Sequence, residues 1–136
     1  MVPWRVGHSE PVTTSSAIDD GQRRAAELLQ LLEHDDSDAE RLLAELTDVR
    51  SLVFLGAGLT AVARSEARAL PPAQRAQANT RQMHLGALRD AHRTDPAGLR
   101  TWARRAADEV LFLRSLQAAA AARIAADAPR SAQAGA

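Results

Sequence analysis

The chain has 136 residues, 17 basic and 17 acidic side chains, two Trp, two Phe and no Cys. That length suits one domain with a real core, and the missing Cys excludes disulfides, thiolate metal sites and Cys nucleophiles. Abundant Ala and Leu with few β-branched residues favour helix over sheet. The start, Met1-Val2-Pro3-Trp4-Arg5, leads into polar sequence without the apolar core of a signal peptide. A cytoplasmic protein outside the membrane is expected.

All basic residues are Arg, and the zero net charge hides an asymmetry. From Glu10 to Asp48 there are 11 acids against 3 Arg; from Val49 to Arg105 there are 10 Arg against 3 acids. Such polarity points to contacts within the fold or between chains.

Residues 1–15 read as an irregular arm, with two prolines, a glycine and a Thr-Ser cluster. Trp4 is expected to anchor this arm on the bundle. A helical domain then spans residues 16–128. Its first helix should start at Ser16 as N-cap and run to about His34, burying Ile18, Ala25, Leu28, Leu29 and Leu32. Ser37-Asp38-Ala39-Glu40 is a capping box that opens a second helix. Its apolar stripes, Leu42-Leu46-Val49-Val53 and Leu52-Leu55-Leu59-Val62, carry it to about Ala69, before Pro71-Pro72.

Within that helix lies the longest uncharged run, Ser51 to Ala63. It is too short to cross a bilayer, which takes about 20 residues. It contains Gly56-Ala57-Gly58-Leu59-Thr60-Ala61, which matches the Gly-x-Gly-x-x-Ala turn that binds a pyrophosphate. That turn needs a βαβ unit and a second strand, and no Val/Ile-rich run follows. Gly56 and Gly58 therefore read as a close helix crossing or a kink, and no cofactor is expected.

The third helix opens at Pro72 and runs to about Arg93, with Met83, Leu85, Ala87, Leu88 and Ala91 inside. Asp95 caps the fourth, with Pro96 in its first position. Leu99, Trp102, Ala103, Ala106, Val110, Leu113, Leu116, Ala120 and Ile124 form its buried face. Pro129 should end it, leaving 129–136 as a disordered tail. A weak correspondence at an offset of 58 aligns Phe54-Leu55 with Phe112-Leu113 and Pro71 with Pro129. With or without it, the expected fold is all-α: a four-helix bundle of two short–long hairpins, forming a dimer. Phe54 and Phe112 should meet in its core.

Chemistry is sparse. No Glu-x-x-His spacing is present, His84 and His92 lack a carboxylate in register, and no Ser sits in a nucleophile elbow. No metal site or catalytic residue is assigned, and an enzyme is not expected. The candidate partner-binding residues are Arg75, Arg81, Arg89, Arg93, Arg100, Arg104 and Arg105, because guanidinium forks bind phosphate or carboxylate. The favoured reading is that this basic face answers the acidic segment. Residues 85–106 can also be drawn as helix–turn–helix, although Leu99 and Trp102 look like core. Long helices left uncovered at their ends make Leu59, Val62, Leu116, Ala120 and Ile124 the candidate self-association residues. The reading that follows is a non-catalytic, self-associating helical interaction module with an unknown protein partner. Nucleic-acid binding through the Arg-rich third and fourth helices is the alternative, and a small-ligand sensor the third.

Overall fold

The computed structural model describes the backbone of residues 3–134 and the side chains of 15–128. The described residues form five helices and no strand: α1 (Pro3–His34), α2 (Asp36–Glu45), α3 (Val49–Arg68), α4 (Pro72–Ala91) and α5 (Pro96–Ala134). The all-α expectation holds, but four helices become five because the helix drawn through 37–69 breaks at 46–48. Leu46 leaves the helical region at φ −87°, ψ 99°, and Asp48 caps α3 by accepting the Ser51 amide at 2.9 Å. Leu46 stays buried at the turn. The apolar period therefore runs through the break, and only the capping Asp marks it.

The start of α2 is displaced in the same manner. Asp35, not Ser37, is its N-cap, with Oδ1 accepting from the Ser37 amide at 2.9 Å and hydroxyl at 2.7 Å. Pro72 and Asp95-Pro96 open α4 and α5 where expected; Asp95 Oδ1 accepts the Ala97 amide at 3.1 Å. Ser16 lies inside α1, which starts at Pro3, so the segment read as an irregular arm is helical from there. The Trp4 side chain lies outside the described ones. Nor does Pro129 end α5, which continues to Ala134. A proline removes one i→i−4 hydrogen bond, and the helix continues across that gap.

Both caps make a pH prediction. Hydrogen bonds from the Ser37 hydroxyl and amide hold the Asp35 carboxyl below its ordinary value, and the Ser51 amide does the same for Asp48. A carboxyl depressed by folding contributes stability above its unfolded pKa, and that stability is lost as pH falls through the folded pKa. Asp48→Ala should therefore lower the melting temperature at neutral pH. The gap from wild type should close as pH falls below 3.8 in a series of thermal melts. A gap of constant size down to strong acid would show that the carboxylate does not act as the cap.

Helix directions follow from the contacts. Gly21 abuts the Phe54 carbonyl and Gly58 abuts Ala25, so α1 and α3 run the same way. Trp102 covers Gly56 and Gln117 reaches Glu66, so α5 runs with them. Between these run α2 and α4 in the opposite sense: Arg100 and Arg104 reach back to Leu46 and Glu40, while Arg81 meets Glu109 and His92 meets Gly98. α3 is the axis, packed on α1, α4 and α5. The offset-58 correspondence fails here, since Arg104-Arg105-Ala106 continue α5 where Leu46-Thr47-Asp48 break the chain.

Leu28, Leu52, Leu55, Leu59, Leu99, Val110 and Leu113 are fully buried, with Trp102 the large aromatic among them. Phe54 and Phe112 are not the centre that the sequence suggested. Phe54 is half-buried under the Arg50 guanidinium, and Phe112 is 46% exposed with Arg81 4.8 Å above its ring. An all-round apolar turn leaves open which side meets a neighbour; here Leu52, Leu55 and Leu59 turn inward. Of the residues of α4 expected inside, Leu85 and Leu88 are half-buried, but Met83 is 74% exposed and Ala87 and Ala91 are exposed, since Ala78 and Gln82 complete the face toward the bundle.

The longest helix outruns its support. At 1.5 Å per residue α5 is about 58 Å long and α3 about 30 Å. Gln117 already sits beside Glu66, near the end of α3 at Arg68. From residue 118 onward α5 projects past its neighbour, and residues 121–128 are exposed throughout.

Candidate functional site

The glycines of the nucleotide-like motif lie in the interior of α3, away from any helix start. A Cβ at Gly56 would overlap the Trp102 ring, and one at Gly58 would stand 3.2 Å from the Gly21 carbonyl and Ala25 Cβ. Both glycines have ordinary helical backbones. Their task is to let α5 and α1 approach α3 closely, which resolves the motif in favour of a crossing.

Among the described residues, no three His, Asp or Glu side chains are grouped to hold a metal ion. His92 is 3.3 Å from Asp95 and packs on Gly98 at the α4–α5 turn, and His34 is exposed at the end of α1. No described helix is long and apolar enough to cross a membrane.

The seven candidate partner-binding arginines divide into two groups. Arg100 and Arg104 turn to α2. Arg100 Nη1 donates to the Leu46 carbonyl at 3.2 Å, satisfying an orphan acceptor at the end of α2. Arg104 pairs with Glu40, with Asp36 at 3.6 Å and with Asp108 at 3.2 Å. Burial works against its charge, but these three carboxylates outweigh that and push its pKa up. Arg114 extends the pattern, lying 3.6 Å from both Glu33 of α1 and Glu66 of α3. Part of the basic face thus answers the acidic segment inside one chain. In the helix–turn–helix drawing, the opening of α5 would also have to expose Leu99, Trp102, Ala103 and Ala106, all of which are core.

Arg81 is a special case. Its Nε donates to both carboxylate oxygens of Glu109 at 2.8 Å, and Glu109 is only 7% exposed. Arg81 then stacks on Phe112. Together with His84, Leu85, Leu88, Arg105 and Asp108 they line an α4–α5 groove of about 360 Å³. Nothing in the sequence singled out Glu109; its place on the buried face of α5, one residue before Val110, was the available signal.

Arg75, Arg89, Arg93 and Arg105 are exposed. Arg89 lies 3.2 Å from its neighbour Asp90, and among the described residues the other three make no ion pair. Arg75 and Arg89 lie along the α3–α4 face, where Arg64 and Arg68 join them around two small clefts. Sequence reasoning placed Arg64 and Arg68 in the basic series without making them candidates.

The candidate self-association residues also divide. Leu59 is fully buried within the chain and must be withdrawn, because it belongs to the inward stripe of α3. Val62 and Leu116 are half-buried against the core, while Ala120 and Ile124 lie on the projecting part of α5. Ile124 is 71% exposed. Compared with protein-family models, curated proteins and solved structures, the chain matches none of them.

Proposed function

We propose that this chain is a non-catalytic helical interaction module that associates with a second copy of itself through the projecting part of α5. The observation that carries the reading is the combination of length and exposure in α5. Leu116, Ala120 and Ile124 recur at i, i+4 and i+8 on one face of a helix that outruns the bundle. Helices in proteins take most of their stability from packing of an apolar face, which residues 121–128 do not find within the chain. In an antiparallel pair related by a two-fold axis near Ala120, Leu116 of each chain would oppose Ile124 of the other. The same face would then be used twice, as closed symmetric dimers require.

The face is narrow, so the association is expected to be weak and concentration-dependent. Light scattering over a dilution series should show dimer at high micromolar concentration and monomer on dilution. Ile124→Glu should remain monomeric across the series while melting as wild type does, since the side chain touches little within its own chain. Wild type that stays monomeric at high micromolar concentration would overturn the reading. So would an Ile124→Glu dimer as tight as wild type. A cytoplasmic setting and a further protein partner belong to the same proposal, with the α4–α5 groove around Phe112 as the surface for that partner.

A further inference from the structure

The cleft between the C-terminal half of α3 and the first half of α4 has a lining unlike the rest of the surface. About 290 Å³ in volume, it is bounded by Arg64, Ala67, Arg68, Arg75, Asn79 and Gln82. Three of these six carry a guanidinium, two carry an amide, and none carries a carboxylate. At three other places the chain sets acids against an Arg: Glu109 against Arg81, Glu40 and Asp36 against Arg104, Glu33 and Glu66 against Arg114. Here the pattern stops. Arg64, Arg68 and Arg75 are exposed, and among the described residues none forms an ion pair.

The register explains the convergence. Arg64 and Arg68 are one turn apart on α3, and Arg75, Asn79 and Gln82 follow at i, i+4 and i+7 on the facing side of α4. A second, apolar-floored cleft of about 100 Å³, with Leu85, Trp102 and Ala106 in its lining, shares Arg64 and Gln82 and adds Thr60 and Arg89. Gln82 borders both, and its Nε2 is buried without a hydrogen-bond partner. A buried donor left unpaired is costly, and an anion oxygen beside it supplies the missing acceptor. Arg68 alone has another explanation, because a cation in the last turn of α3 suits the helix dipole. Arg64 and Arg75 are not so placed.

From this we infer that the α3–α4 cleft is a binding site for a multiply charged phosphate anion of the pyrophosphate class. A single carboxylate would leave two of three guanidiniums uncompensated, whereas guanidinium forks match phosphate oxygens and their charge. Ala67 is the only apolar residue in the lining, so no platform is offered to a base or a ring. The site recognises the phosphates and not what they are attached to. It lies at another face from the projecting α5, and stands or falls independently of self-association.

The test is calorimetric titration of inorganic pyrophosphate into the full chain at low ionic strength. Wild type should show one saturable site per chain. Arg64→Gln/Arg68→Gln/Arg75→Gln should weaken it by about tenfold or more, the loss expected when charged hydrogen bonds are removed. The charge-matched triple Arg23→Gln/Arg41→Gln/Arg50→Gln, at exposed positions away from the cleft, should bind as wild type does, which separates a built cleft from bulk electrostatics. Gln82→Leu should weaken binding while circular dichroism shows an intact helical fold. No saturable binding to wild type would overturn the assignment, and so would equal weakening in both triple variants. A third overturning result is tight binding of duplex DNA, falling steeply with salt, when pyrophosphate alone does not bind. That would make the face a nucleic-acid surface instead.

Discussion

Trp102→Ala should cost about 3–5 kcal/mol, the largest loss from any single side chain among the described residues. The indole is 2% exposed, lies across Gly56 and joins α5 to the central helix. Phe112→Ala should cost far less, because that ring is 46% exposed and rests on a guanidinium rather than in the core. The glycine makes the test sharper. Gly56→Ala alone should destabilise by about 1–3 kcal/mol, since its Cβ would be forced against the ring. In the Trp102→Ala background the same change should become neutral or stabilising, because Ala gains about 1 kcal/mol over Gly in a helix interior. Chemical denaturation of the four proteins gives the cycle. Additive losses would mean that Gly56 and Trp102 are not in contact.

The second large effect is expected at Arg81. Arg81→Met leaves the Glu109 carboxylate on the buried face of α5 with no partner. Breaking a buried pair on one side costs about 3–5 kcal/mol, and the partial exposure of Arg81 places this case at the lower end. Arg81→Met/Glu109→Leu should recover most of the loss, because two apolar side chains of similar size need no compensation. Denaturant titrations in which the double variant is less stable than Arg81→Met would show that Glu109 is not left uncompensated when Arg81 is removed.

These residues also show how far the sequence could be read. Prolines and caps were legible where one residue has a single meaning: Pro72 opens α4, and Asp95-Pro96 opens α5. The inward stripe of α5 through Leu99, Trp102, Ala106, Val110 and Leu113 was legible because its period is clean. The break at 46–48 was not, since Leu42, Leu46, Val49 and Val53 keep helical spacing across it. Asp48 reads as one more acid in an acidic segment until the Ser51 amide is seen on it. Phe54 and Phe112 were misplaced because the apolar turns that hold them leave open which side faces the core. Where α3 is crossed is decided by its small residues: Gly56 brings Trp102 against the side opposite Phe54, while Gly58, one turn on from Phe54, and Gly21 bring α1 against the Phe54 side itself.

The surfaces were legible in part for a similar reason. The excess of Arg after Val49 was plain, and its answer to the acidic segment could be foreseen as a charge balance. Which Arg would be answered depends on the helix directions. Because α2 runs back along α5, Arg100 and Arg104 are engaged; because α4 faces α3 with no acid opposite, Arg64 and Arg75 are not. Spacing in sequence carries neither fact.

Amide hydrogen exchange along α5, followed at low and high protein concentration, tests the self-association at the centre of this account most directly. Amides of the projecting stretch 118–128 should exchange rapidly in dilute protein, where that part of the helix is largely exposed. They should gain protection as concentration rises, while amides of α3 remain protected throughout and unchanged. The Ile124→Glu variant should show rapid exchange in 118–128 at every concentration. Exchange in that stretch that is equally fast in dilute and concentrated wild-type protein would contradict self-association through α5.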